Sequence, residues 1–398
     1  MKLLGIGIGS GGARILDQVY SNLGQDRFYG TLILDTSSKT IDEMSSLEDN
    51  FILLGESGEG VGGQWKSAMK LMLEDSSKEK IMKYLLENKV ERAPVIMVFA
   101  ALGGGTGAGA TPVFVRYLRE YFADKSVVPP IVVLGVLPFM YPIEPIKFSY
   151  NSIISISNLL DNADAILLVD NDLFFPPSEQ EEVGGGLIEV NEKISSFLET
   201  MFEQTSSLGT GIGGELSAQT LKSILKMKEA SLCVPCYARV RSETVGSVLD
   251  LLAELALEEG KMLQCNPETS FRAVFVLRIP EENFSVKGFL DVKKFFLRKI
   301  NGIDIASGLR RLEEGADESD IAVILVEPEI PKITKLIDIA KVYYDLHEEV
   351  IISVEGTDQD ELEQFLQRLS QHSEEVARKR QKARELKQAL NLGSIQRS

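Results

Sequence analysis

The sequence predicts an α/β protein: a doubly wound, largely parallel sheet, then a long helix, then a second α/β region. Three observations carry this. Short apolar runs rich in β-branched residues alternate with helix-period segments through residue 170, as strands and crossover helices do around a parallel sheet. Glycine-rich turns follow two of those runs. An amphipathic helix, with Ile188, Ile194, Phe197, Leu198, Met201 and Phe202 at helical spacing, then divides this half from a second alternation.

In chain order, Leu3–Ile8 reads as a buried strand, residues 13–23 as a helix and 30–34 as a strand. Residues 65–86 have helical periodicity, with Met69, Met72 and Met82 on the core face. Val95–Ala101 is a strand followed by a helix over 111–122; Ile131–Leu137 is a strand, 149–160 a helix and Ala165–Asp170 a strand. The acidic, then glycine-rich stretch 181–186 reads as a surface loop before the long helix. Beyond the glycine-rich loop 209–214, helices are expected over 218–228, 247–262, Val286–Lys299 and 333–346. Strands are expected over 232–239, 271–279, 321–326 and 350–354. Residues 358–390 are helical, apolar on one face at Leu362, Phe365, Leu366 and Leu369, then polar all round.

The 398 residues are enough for two domains. Lys+Arg 42 against Asp+Glu 59 gives a net charge of −17, which argues against nucleic acid or an anionic membrane as partner. No run approaches the ~18–20 apolar residues of a membrane span, and the first segment lacks a signal-peptide cleavage site. Three cysteines do not make a disulfide framework, so a cytoplasmic location is expected. Cys233 and Cys236 have redox-motif spacing but sit in a strand-like run, where a buried structural pair is the simpler reading. Two histidines, His347 and His372, exclude most His-based hydrolytic chemistry.

The chemistry is concentrated in glycine turns. Gly7-Ile8-Gly9-Ser10-Gly11-Gly12 follows a strand and opens a helix, and Asp35 ends the next strand. Alone, this admits a dinucleotide-dependent oxidoreductase with Asp35 on a ribose. The second turn, Gly103-Gly104-Gly105-Thr106-Gly107-Ala108-Gly109, builds another nest of N–H donors around a hydroxyl. A dinucleotide does not need it; a mononucleotide with several phosphates does. Gly58-Glu59-Gly60-Val61-Gly62-Gly63 is placed to close over the terminal phosphate. The lysine-containing phosphate loop of P-loop enzymes is absent from the sequence.

ALGGGTGAGATP resembles the signature loop of the tubulin/FtsZ superfamily, and the resemblance runs in order through roughly the first 350 residues. GIGSGGARILD is similar to that family's first phosphate loop and LGESGEGVGG to its third. The segment with Glu144, Phe148 and Asn151 is closer to archaeal tubulin-like CetZ proteins than to bacterial FtsZ. The resemblance implies a Rossmann-like GTP-binding domain (1–187), a central helix (188–208), an activation domain (209–356) and a C-terminal helix with a basic tail (357–398). It implies GTP or GDP held by Gly9, Ser10, Gly11, Gly12, Ala13, Arg14, Asp35, Thr36, Gly60, Gly62, Ala101, Gly103, Gly104, Gly105, Thr106 and Gly107. Glu144 would contact the ribose, Asn171 and Asn191 the guanine, and Mg2+ would ride on the phosphates rather than on a protein metal site. Subunits would assemble head to tail, with hydrolysis completed between them.

Two departures matter. The family places two acids three residues apart in the loop after the central helix. Here those positions hold Ser217 and Thr220, with Glu215 the one acid nearby, so slow or absent hydrolysis is expected. The C-terminal segment carries Arg378, Lys379, Arg380, Lys382, Arg384 and Lys387 against Glu385. It is either a solvated helix face or an arm that docks on a neighbouring subunit. A non-polymerising nucleotide-bound regulator and, more remotely, an NAD-dependent oxidoreductase are the alternatives.

Overall fold

A computed structural model describes residues 1–47, 50–140, 142–174, 183–203, 216–241, 248–302, 304–313 and 315–390. The first apolar run is strand β1 (Leu3–Ile8), buried at every residue, and helix α1 (Gly9–Leu23) begins on the next residue. β2 (Phe28–Asp35), the short α2 (Lys39–Asp42) and β3 (Phe51–Leu53) follow. The segment expected as one helix over 65–86 is two: α3 (Trp65–Leu73) and α4 (Asp75–Glu87), with the break at Glu74. Then come β4 (Val95–Ala101), α5 (Gly105–Phe122), β5 (Ile131–Leu137), α6 (Ile146–Leu159) and β6 (Ala165–Asp170). The long helix is α7 (Val183–Phe202). Residues 183–186, expected in a loop, form its first turn, while 181–182 lie outside the described residues.

The second half is built from α8 (Ala218–Leu225), β7 (Ser231–Arg241), α9 (Val248–Glu258), β8 (Arg272–Pro280) and α10 (Val286–Lys299). It ends with β9 (Asp304–Leu312), β10 (Glu318–Val326), α11 (Pro331–Val354) and α12 (Gln359–Ala389). The strand expected over 350–354 is the last turn of α11. That run, Val350-Ile351-Ile352-Ser353-Val354, has β-branched composition, but Ile351 alone of it is deeply buried and, among the described residues, no strand pairs with it. It continues the helix beyond a kink at His347 (φ −128°, ψ 16°). Strand β9, with arginines and a glycine between its apolar positions, was not anticipated.

Among the described residues the strands form one ten-stranded sheet in the order β3-β2-β1-β4-β5-β6-β7-β10-β8-β9. The first six are parallel, and order reverses at β1, where chain direction turns from one side of the sheet to the other. Alternate residues feed two cores. Ile96, Val98 and Ala100 of β4 enter the core that holds α3–α6 and α9–α12; Val95, Met97 and Phe99 enter the core that holds α1, α7 and α8. This two-sided burial is why the parallel strands read as unbroken apolar runs. Ligand crevices in such sheets lie outside the carboxyl ends of the strands at the switch point, here between β1 and β4.

Candidate functional site

Three glycine turns meet at that crevice. Both helices that open there begin on glycines, α1 at Gly9 and α5 at Gly105. Neither N-terminus has a side-chain cap or an acid in its first turn. The first N–H groups of a helix are orphans carrying partial positive charge, so two uncapped ends facing one crevice make an anion site. Glycine is required where α5 meets β4: a Cβ at Gly107 would sit 2.2 Å from Ala101 O. The third turn folds over the opening with Gly58, Gly60, Gly62 and Gly63 all at positive φ, a conformation L side chains resist.

The resulting cleft has a volume of about 220 Å3 and is lined by Gly9, Ser10, Gly11, Asp35, Thr36, Gly60, Gly62, Ala101, Gly104, Gly105, Thr106 and Gly107, with Ile8, Ser37, Val61 and Gly63. Thr36 Oγ1 and Thr106 Oγ1 are 2.8 Å apart and tie the end of β2 to the second turn. Asp35 turns inward: its carboxylate accepts from Thr36 N and Thr40 Oγ1, both at 2.6 Å. It is thereby spent on the turn that shapes the wall, rather than left for a dinucleotide ribose. Gly12 and Ala13 are packed behind the cleft against the sheet. Gly103 packs on Pro138 and Phe148. Arg14 points away and pairs with Glu43 at 2.5 Å on the surface.

A second group lies at the carboxyl ends of β5 and β6. Glu144 Oε2 accepts from Phe139 N at 2.8 Å; burial raises its pKa, with the nearby Asp172 charge adding to this. Asn171 starts a 3₁₀ turn directly after β6, and its buried Oδ1 has no hydrogen-bond partner among the described residues. Phe174, at the end of that turn, packs against the core on the α7 side of the sheet, with Lys193 Nζ of α7 5.3 Å from its ring. The turn of α7 that carries Asn191 therefore lies beside the turn that carries Asn171. Asn191 is half-buried, and its carbonyl accepts from Ser195 Oγ at 2.8 Å.

The sequence did not reveal what holds this group together. Lys332, the second residue of α11, sends a buried ammonium to Asp170, to Asp172 Oδ2 at 2.8 Å and to Pro138 O at 3.0 Å. Asp172 Oδ1 in turn accepts from Met140 N at 3.0 Å. Burial raises the Asp170 pKa, opposed by the Lys332 charge. Asn151 is the other organiser: its Nδ2 donates to Gly63 O and Gly103 O, each at 2.9 Å, and so joins the third turn to the second.

Glu215 lies outside the described residues. Ser217 and Thr220 form the N-terminal cap of α8: Ser217 Oγ accepts from Thr220 N at 3.1 Å and lies 2.9 Å from Thr220 Oγ1. Cys233 and Cys236 are wholly buried in β7, and burial pushes both thiols well up, which suits packing and not redox exchange.

The Tubulin/FtsZ family, GTPase domain, matches residues 2–176, the stretch that contains all three glycine turns. The tubulin-like protein CetZ of Thermococcus kodakarensis is 28% identical over 319 residues, 77% of each chain. Among solved structures, CetZ1 from Haloferax volcanii, a GDP-bound monomer, superposes with a TM-score of 0.73 at 22% identity, covering 86% of this chain and 99% of that one. CetZ2 from the same organism, a GTPγS-bound protofilament, gives a TM-score of 0.69 at 22% identity, covering 86% and 100%. With its glycine turns inside the segment that matches the tubulin/FtsZ GTPase domain and its fold shared to the second half, the chain is similar to the archaeal CetZ proteins in sequence and in fold.

Proposed function

We propose that this protein is a GTP- and GDP-binding, tubulin-like filament subunit. The observation that carries the reading is the pair of uncapped, glycine-built helix N-termini opening on one cleft, with a third glycine turn across it. The N–H groups of Gly9–Gly12 and Gly105–Gly107 hold the phosphates, Thr106 and Thr36 add hydroxyls, and Gly60 and Gly62 face the terminal phosphate. Mg2+, where present, rides on the phosphates with water. Glu144 meets the ribose. Asn171, with its unpaired buried oxygen, and Asn191 on the adjacent helix read guanine, because a base lacking the matching donors would leave those groups unsatisfied. The divisions at 187, 208 and 356 separate nucleotide domain, central helix, activation domain and C-terminal arm. Solved relatives described as a GDP-bound monomer and a GTPγS-bound protofilament support both ligand and assembly.

Subunits join head to tail, an open heterologous contact that yields filaments, in the cytoplasm, with a role in cell shape, division or segregation. The loop before α8 reaches the next subunit's nucleotide, where phosphoryl transfer to water needs positioning above all. Ser217 and Thr220 supply a helix cap there instead of a carboxylate pair, leaving Glu215, and loss of a water-orienting base slows such steps about 10²–10⁴-fold. Arg378, Lys382 and Arg384, exposed on α12, are the basic face offered to a neighbouring copy. The same cap favours one second reading, a nucleotide-bound regulator that does not polymerise. Pelleting beside phosphate release, with GTP and GTPγS over a range of protein concentrations, decides. Polymer above a critical concentration with slow phosphate release is expected. Nucleotide binding without polymer at any concentration selects the regulator, and no affinity for guanine nucleotides overturns both.

A further inference from the structure

Helix α3 starts at Trp65, two residues after Gly63, so whatever fixes Trp65 sets one end of the third glycine turn. The other end is fixed to the second strand's loop, through Gly60 N to Thr36 O at 3.0 Å and Ser38 N to Gly58 O at 2.9 Å. Between these anchors, glycines at positive φ give the turn little stiffness of its own. Trp65 is buried, and α5 lies flush against it: a Cβ at Gly109 would sit 1.8 Å from Trp65 O. Its indole Nε1 donates at 3.0 Å to Oε2 of Glu355, a carboxylate only 3% exposed at the end of α11. The other oxygen of Glu355 pairs with Lys147 Nζ at 2.9 Å. Lys147 stands one helical turn before Asn151, which grips Gly63 O and Gly103 O. Lys66 adds a second tie to the same elbow, reaching Gly356 O at 2.9 Å and Glu361 Oε2 at 2.5 Å. The indole meets Phe365 of α12 edge-on, with ring centroids 6.0 Å apart.

A buried carboxylate is retained where its partners fix geometry, because its desolvation offsets much of the attraction. Here both partners of Glu355 lead to the third turn, one through α3 and one through α6. We propose that Glu355 is a positioning residue for that turn, holding it through Trp65 and Lys147 where its amides favour a nucleoside triphosphate over a diphosphate, so that the α11–α12 elbow moves with the nucleotide. The proposal rests on the guanine-nucleotide reading above and adds to it a residue nearly 300 positions along the chain from the turn it sets. Hydrogen bonds to a phosphate weaken steeply with small displacement, so the signature is a loss of discrimination rather than of binding.

The test uses the full-length parent, Trp65→Phe, which removes the donor and keeps the ring, and Glu355→Gln, which keeps an acceptor and removes the charge. Affinities for GTPγS and GDP are measured in each, beside thermal midpoints. The expected result is a fall in the GTPγS-to-GDP affinity ratio of about 10-fold in Trp65→Phe, with a smaller fall in Glu355→Gln. A merely structural role would lower the midpoint and weaken both nucleotides alike; an unchanged ratio overturns the proposal. The parent alone gives a second reading, free of any folding defect. Trp65 is its single tryptophan, and its emission is expected to differ between GTPγS and GDP complexes. Identical emission overturns the coupling. A parent that binds neither nucleotide overturns the guanine reading together with this one, whereas a discriminating parent with equally discriminating variants overturns this one alone.

Discussion

Lys332 shows how a residue that sequence patterns hide can organise a site. Its ammonium joins the carboxylates after β6 to the carbonyl of Pro138 after β5, and so fixes the loop of Glu144 relative to the turn of Asn171. Asp170 and Asp172 stand two residues apart in the sequence, but the cation they hold is a side chain 160 residues from Asp172, which spacing cannot reveal. Asp35 is the converse: its position at a strand end was legible, and its commitment to Thr36 and Thr40 was not. Removing Lys332 leaves the buried Asp170 without a counter-charge, and breaking such a pair costs about 3–5 kcal/mol. Lys332→Met is expected to lose that much in denaturant unfolding at pH 8. Burial already holds the Asp170 pKa above its ordinary value, and loss of the cation raises it further. Protonation at acid pH then relieves the uncompensated charge, so the deficit relative to the parent should shrink at pH 5. A deficit that grows on acidification contradicts this account.

At the scale of elements, the C-terminal helix is a strap across the protein's own surface. The first half of α12 lies on α6, where Ser157 Oγ donates to Phe365 O at 3.0 Å. Its second half grips the other end of the sheet. Arg380 donates to Glu327 O at 2.7 Å, and Lys387 caps the end of α10 through Leu297 O at 2.6 Å and Ile300 O at 2.5 Å. Part of the basic run is thus spent within the chain. His372 sits buried between the two halves, with Glu229 Oε2 3.1 Å from Nδ1 and Glu327 Oε1 3.0 Å from Nε2. Burial opposes its protonation, but the hydrogen bonds and charges of Glu327 and Glu229 outweigh that and raise its pKa above 6.5. The folded state therefore binds this proton more tightly than the unfolded chain. The stabilisation is complete below about pH 6.5 and is lost as pH rises through the raised value. The parent's denaturation midpoint is expected to fall from pH 6 to pH 8 by more than that of His372→Gln; equal slopes would remove the histidine from the account. Helix periodicity made α12 legible because its apolar positions are regular. It failed at the end of α11, where five β-branched or small residues continue a helix past the kink at His347, since local composition does not say whether a neighbouring strand exists.

For the whole molecule, the parallel half was legible because strands buried on both faces leave long apolar runs, and because glycine turns punctuate them. What the sequence did not disclose is that both halves share one sheet, because pairing between β6 and β7 depends on three residues on each side and no local pattern marks it. That contact is short: Ala165 opposite Ser231, Ile166 opposite Leu232 and Leu167 opposite Cys233. By comparison β7 meets β10 along nine residue pairs. The ladder thus has a seam, and Cys233 is the last stitch in it; Cys233 and Cys236 both pair with β10, at Val326 and Val323, but Cys233 alone also takes part in the seam. The two thiols form a built-in clock for breathing of the molecule. In a maleimide time course, Cys265, the one cysteine that is not fully buried, should be alkylated first, though slowly, because burial pushes its thiol up to about 12. Cys233 should follow ahead of Cys236, and faster than global unfolding allows, because opening the seam is a smaller event than dismantling the fold. Were the two buried thiols to react together at the unfolding rate, the sheet would be one cooperative unit from edge to edge. If Cys233 leads, the molecule has a place where strain can be taken up without unfolding either half.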